Sequence, residues 1–385
     1  MAEVTRVHFG GLVASVPEAY LPGNSPGASS HLGPMKEHQM NASTGTSTES
    51  PVTTEDLAAS APGASAERGA ARRSRGLLIL SRYGTLIGFV LMLAIFSHTA
   101  DAFLSSSNFT GVLKASAVLG VLSLGLTIVL ILGDFDLSIG FTATAAGMLA
   151  AGTAQSYGMA GGVAAALLFG LGVGLVNGLI VTRLGVSAFI ATLGSGQVIA
   201  GWLLAYRDGI QISGDLPEDF TTLGRGTLGP VPYLVIVWFA IALAAFVLLE
   251  RTVTGRKMYA VGGNPVAARL SGIDNDRARL IAFLLSGLLA GAGGLMITSS
   301  LGVGNPSSSL SYLLPAFAAS FIGAATLRDG QFHVGGTIVG VLMLAFLSNG
   351  LVVTGVAPAW TTAAQGIVLI AAVTISAFAR RVAAR

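Results

Sequence analysis

Two acidic residues, Asp134 and Asp136, stand two positions apart inside an otherwise apolar stretch. Carboxylates this close could share a proton and do acid and base work. Alternatively one caps the helix that follows, because Asp136-Leu137-Ser138 also reads as a helix start, and between two spans the pair is expected to face the cytoplasm. Further along, Asn177, Thr192, Gln197, Asn349 and Gln365 interrupt long apolar runs. Such groups are costly against lipid, so they either bond helix to helix or line a polar path. His98 and His333 sit near the ends of apolar runs without metal-ligand spacing, and there is no cysteine, so no metal site, disulfide or thiolate nucleophile is expected. Gly23-Asn24-Ser25-Pro26-Gly27 matches a nucleophile elbow by letters alone, with no strand before it and no helix after it. No P-loop occurs. The chain reads as a non-enzyme without a cofactor.

The elements that position these residues are set by composition. Of 385 residues, 52% are apolar and 10% charged, and the mean hydropathy is +0.75. That is an all-α, polytopic membrane protein. A span takes roughly 20 apolar residues, and cutting the uncharged runs at charges and turn residues gives about ten: 80–100, 111–132, 137–155, 160–182, 186–206, 231–249, 280–299, 312–327, 334–355 and 361–379. The run 137–182 carries no charge and is divided only at Tyr157-Gly158 and Gly161-Gly162. Basic residues then orient the count. With Arg68, Arg72, Arg73, Arg75 and Arg82 inside, the alternation places Arg183, the cluster within 251–279, Arg328, Arg380, Arg381 and Arg385 inside as well. Lys114, Arg207 and Arg225 alone fall outside. Both termini are therefore expected in the cytoplasm. The net charge of +3 follows from membrane insertion and implies no nucleic acid.

Residues 1–75 are rich in Ala, Ser, Thr, Gly and Pro without apolar periodicity and read as a disordered cytoplasmic tail; residues 76–385 form the membrane domain. Gly170, Gly174 and Gly178, and Gly287, Gly291 and Gly294, have the spacing that brings helix backbones close. The charged segment 250–279 contains a short helical pattern, Pro265 to Leu270, closed by Gly272. By composition it is a solvated cytoplasmic loop, and it is where a soluble partner would meet the chain.

Four motifs, in order, carry a resemblance. Gly133-Asp134-Phe135-Asp136-Leu137-Ser138-Ile139-Gly140 resembles the GGIDLSVG stretch of the membrane permeases of ribose- and xylose-type ABC importers. Asn177-Gly178-Leu179-Ile180-Val181-Thr182-Arg183-Leu184 is similar to that family's NGLLVTRL, and Phe189-Ile190-Ala191-Thr192-Leu193-Gly194 to its FIVTLGT. Tyr259 to Asn264, running into Ala267-Ala268-Arg269-Leu270-Ser271-Gly272-Ile273, resembles YAIGGNEEAARLSGI. The similarity covers about residues 80–379.

The resemblance implies a ten-helix permease in the bacterial plasma (inner) membrane. It also implies a second permease subunit, identical or related, two cytoplasmic ATPase subunits and an extracytoplasmic sugar-binding protein. Asn264, Ala267, Ala268, Arg269 and Gly272 then belong to an ATPase-coupling segment, Asp134, Asp136 and Ser138 to a family motif, and Asn177, Thr192, Gln197 and Asn349 to the path of a monosaccharide or related small polar solute. Pro265 and Val266 replace the two acidic residues that usually precede Ala-Ala. Tyr312-Leu313-Leu314-Pro315 and Arg328-Asp329-Gly330-Gln331 also depart from the family pattern. The rival is a stand-alone secondary transporter or channel, for which ionisable mid-span residues would be expected.

Overall fold

The computed structural model describes residues 85–383 apart from 215, 308, 309, 327 and 329; the tail expected over 1–75 lies outside the described residues. Helix α1 spans Thr85–Thr99, α2 Ser106–Ile131, α3 Ile139–Arg183 and α4 Ala188–Ala205. Short α5, Glu218–Arg225, and a two-residue ribbon pairing Thr227–Leu228 with Val231–Pro232 lead to α6, Tyr233–Phe246. That helix widens into a π turn, Val247–Arg251. Helices α7, Val253–Gly263, and α8, Pro265–Leu270, precede α9, Asn275–Leu301. The chain closes with α10, Leu310–Ala325, α11, Val334–Val353, and α12, Pro358–Ala383.

This is an all-α polytopic membrane protein. Among the described residues six helices are long and apolar enough to cross a membrane by length and composition, and Thr85–Thr99, Ser311–Ala325 and Pro358–Ala372 are shorter apolar helices. One of the six, α3, has 45 residues, which at ~1.5 Å per residue would reach about 68 Å, over twice the ~30 Å hydrocarbon core. It does not run straight. Gly158 adopts φ 70° and ψ −171°, a conformation open to glycine and strained for other residues, and beyond it the chain doubles back. Asn177 Nδ2 donates to Ser138 Oγ at 2.9 Å, whereas a straight helix would hold these two residues about 58 Å apart. The helix is a hairpin of two span-length halves, and the backbone turns at the Tyr157-Gly158 cut.

Two helices form the interior. The most apolar window of α2 is 89% buried and that of α9 67%, against 28–39% for the other long helices. Helix α2 is buried continuously from Ser116 to Ile131, as expected of a helix apolar on every side. Helix α9 packs on both halves of α3, parallel to the first, where Gly294 meets Ala143, and antiparallel to the second. There Gly170 and Gly174 lie against Gly287 and Phe283 so closely that a Cβ on either would collide with backbone. The glycine rows thus meet each other, and contact between bare backbones supplies the packing that lipid does not.

Candidate functional site

Three constellations contain most of the residues singled out by sequence. The first is a buried knot at the start of α3. Between α2 and α3 the chain turns at Gly133, φ 81°, and dips back into the bundle. Asp136 is 3% exposed. Its Oδ1 accepts from the Ser138 amide at 3.0 Å and the Ser138 hydroxyl at 2.6 Å, and its Oδ2 accepts from Ser286 Oγ of α9 at 2.6 Å. Asn177, from the returning half of α3, donates to the same Ser138 hydroxyl. Thr192 of α4 accepts from the Leu137 amide at 3.0 Å and donates to the Ala188 carbonyl at 2.7 Å. A carboxylate taken out of water is tolerated when hydroxyls and amides surround it, and here it ties both halves of α3, together with α9, to one point.

This corrects two expectations. Asp136 does not face the cytoplasm as a solvated residue, and it does not cap α3. Its bond goes to the amide of the N-cap residue Ser138, and the helix begins without a side-chain cap. Nor do the two carboxylates act as a pair: Asp134 turns to Arg279 of α9, whose Nε lies 3.0 Å from its Oδ2. Asn177 and Thr192, 1% and 0% exposed, lie inside this knot, where the Thr192 hydroxyl and the Asn177 Nδ2 are bonded and the Asn177 Oδ1 has no hydrogen-bond partner. Ser286, the partner that completes it, gave no sequence signal beyond being a hydroxyl in a glycine-rich span.

The second constellation is a knob. Helix α8 is fixed at both ends. Asn264 ends α7 and caps α8, its Oδ1 accepting from the Val266 and Ala267 amides, both at 3.0 Å. Pro265 takes the first turn, where a missing amide costs nothing. At the other end Gly272 adopts φ 79° while the Ile273 amide bonds back to the Ala268 carbonyl at 3.0 Å, a left-handed C-terminal stop. Asn275 Nδ2 then donates to the Pro265 carbonyl at 2.8 Å and closes the loop on itself. Of this helix only Ala268 is buried; Asn264, Ala267, Arg269 and Gly272 are exposed. Val266 is 68% and Leu270 85% exposed, two large apolar side chains held at the surface of the chain.

Behind the knob, α7 is braced to the membrane helices. Gly262 lies against the Ile131 carbonyl at the end of α2. The Tyr259 hydroxyl sits 3.3 Å from Glu250 Oε1 and 3.2 Å from the Phe332 carbonyl, and Arg328 grips both Glu250 oxygens at 2.7 and 3.1 Å. Burial raises the Tyr259 phenol above its ordinary range and the Glu250 charge adds to that; the Glu250 bond raises Arg328 further. Burial pushes the neighbouring His333 down, so it stays neutral. Sequence reasoning placed Glu250 at the start of the charged segment but gave it no role and did not pair it with Arg328.

The third constellation lies at the opposite end. Asn349 of α11 and Asn108 of α2 exchange reciprocal amide hydrogen bonds, both 2.8 Å, and Gln365 of α12 donates to Ser348 at 2.8 Å. Gln197 is exposed on α4. The four residues expected along one path therefore fall in three places within one chain. Among the described residues no group of His, Asp or Glu has the arrangement of a metal site.

The fold and these constellations define a polytopic, helical membrane protein with a rigid, apolar-tipped knob at one end. Residues 108–373 match the family model described as "Branched-chain amino acid transport system / permease component", and the chain belongs to that family. It is 34% identical over 302 residues to the ribose import permease protein RbsC of Bacillus subtilis, covering 77% of this chain and 92% of that protein. It is 33% identical over 295 residues to RbsC of Escherichia coli K12, covering 76% and 92%. It is also 30% identical over 316 residues to the L-arabinose ABC transporter permease protein AraH of Azospirillum brasilense, covering 80% and 91%. No solved structure matches the chain. The protein is a multi-pass permease subunit of the bacterial inner membrane, not an enzyme.

Proposed function

We propose that this chain is the membrane subunit of an ATP-binding-cassette importer that carries a monosaccharide of the pentose class. Relatives named for ribose and L-arabinose import support the solute class. The observation that carries the coupling role is α8. An isolated six-residue helix is unstable in water, yet this one is capped at both ends, sewn to α9 and left with Val266 and Leu270 outside. Exposed anchors on a rigid element are what a partner's groove requires. The partner is a pair of cytoplasmic ATPase subunits. When they close, the push on α8 passes through α7 to the end of α2 and through Tyr259 to Glu250 and Arg328, so both sides of the bundle move.

A second permease copy, identical or related, completes the path, and an extracytoplasmic binding protein delivers the sugar. Counting each half of α3 and the three shorter apolar helices, residues 76–385 cross the membrane ten times with both ends on the side of α8, and residues 1–75 form a cytoplasmic tail. Co-purification tests the coupling role: Leu270→Glu in the assembled importer is expected to release the ATPase subunits while the permease still accumulates in the membrane. ATPase retention together with normal uptake would remove α8 from the mechanism.

A further inference from the structure

At the end of the bundle away from α8, a cavity of about 330 Å³ lies where α2, α10, α11 and α12 meet. Chain direction fixes the end: the last residues of α2 touch α7, so Gly111, near the start of α2, is at the far side. One wall, on α2, is apolar. The facing walls carry Ser311 and Tyr312 at the start of α10, Ser348 and Asn349 on α11, and Gln365 on α12. None of these carries a charge at neutral pH, and no Asp, Glu, Lys or Arg lines the cavity.

The polar groups are oriented rather than loose. Gln365 Nε2 is engaged by Ser348, and Asn349 by Asn108. The Gln365 carbonyl and the Tyr312 hydroxyl have no hydrogen-bond partner among the described residues, and the Asn349 carbonyl keeps a second lone pair. Open hydrogen-bonding capacity on Gln365, Tyr312 and Asn349 around one hollow in a membrane bundle is costly unless it meets a polar occupant. The larger groove between the returning half of α3 and α4, lined by Phe169, Val176 and Ile190, offers a single such side chain, Ser195.

We propose that the cavity is a monosaccharide subsite contained within one protomer, taking a pentose against the Tyr312 ring with Gln365, Asn349 and Ser348 meeting its hydroxyls. Small-molecule sites start at about 300 Å³, so the hollow suits one pentose. A neutral polyol both donates and accepts, as amides and hydroxyls require, whereas an ion would find no counter-charge. This subsite rests on the sugar-import reading above and adds to it where the solute stops.

The chain contains no cysteine, so Ser311→Cys places a lone thiol at the rim. In the permease–ATPase complex without binding protein, millimolar D-ribose or L-arabinose is expected to slow labelling by an impermeant maleimide severalfold, and glutamate to leave it unchanged. Gly111→Leu, whose new side chain meets no atom within 4 Å at its Cβ, and separately Gln365→Leu, are expected to abolish that protection. Both should lower pentose uptake by the full importer severalfold with unchanged abundance and ATPase association. Absence of protection in a complex that imports pentose, or full uptake by both variants, would overturn the subsite and leave the importer reading standing. Failure of the unmodified importer to carry any pentose would overturn both.

Discussion

The knot at Asp136 and the knob at α8 are both short polar interruptions of an apolar chain, yet they are built in opposite ways. In the knot the bonds that join one element to another reach far along the sequence: Ser286 lies 150 positions from Asp136, Asn177 39 from Ser138, and Thr192 55 from Leu137, beside the local bonds of Asp136 to Ser138. In the knob the decisive bonds span two to ten positions, from Asn264 to Val266 and Ala267 and from Asn275 to Pro265. The first holds distant helices together and exposes nothing; the second holds only itself and exposes Val266 and Leu270. A motif bonded inward ties the fold together, and a motif completed locally keeps its side chains open to the surface, as the proposed docking role of α8 requires.

This comparison predicts a gradient of stability effects. The largest belongs to the backbone contact that supports the knot: Gly174→Leu would drive a side chain into the Phe283 carbonyl, and loss of membrane accumulation is expected on fluorescence-detected size exclusion. Asp136→Ala comes next. It strands the Ser286 hydroxyl and the Ser138 pair in a dry site, at a cost on the order of 3 kcal/mol, seen as a large fall in the thermal midpoint of the purified permease. An unshifted midpoint would break the comparison by showing that the knot is not structural.

Asn177→Ala sharpens it, since only one bond to Ser138 is removed, and about 1 kcal/mol is expected in the same melt. Arg328→Ala tests the brace behind the knob. The guanidinium is 41% exposed, so the pair contributes under ~1 kcal/mol to stability. Uptake per ATP hydrolysed is expected to fall more than the midpoint does.

Legibility in the sequence followed the same division. Proline, asparagine and glycine marked the start and stop of α8 because capping acts over three or four residues, and charges and turn residues marked the span ends for the same reason. Gly158 was readable as a break in the uncharged run 137–182 because a straight helix of that length could not fit the membrane. Asp136 was misjudged because its neighbours in sequence, Asp134 and Ser138, look like a solvated helix start, while the groups that draw it inward lie on α9 and the returning half of α3. Asn349 was visible as a polar intruder, but its partner Asn108 is 241 positions away. No periodicity announces such a pair.

The most direct measurement is made on the knob itself. Leu270→Glu, carried in the full importer, should leave the thermal midpoint of the permease within about 0.5 kcal/mol of the parent, as expected for an exposed site, while ATPase co-purification falls at least tenfold and uptake falls with it. A variant that keeps its ATPase subunits and transports normally would contradict the account. So would one that loses them only because the permease has unfolded.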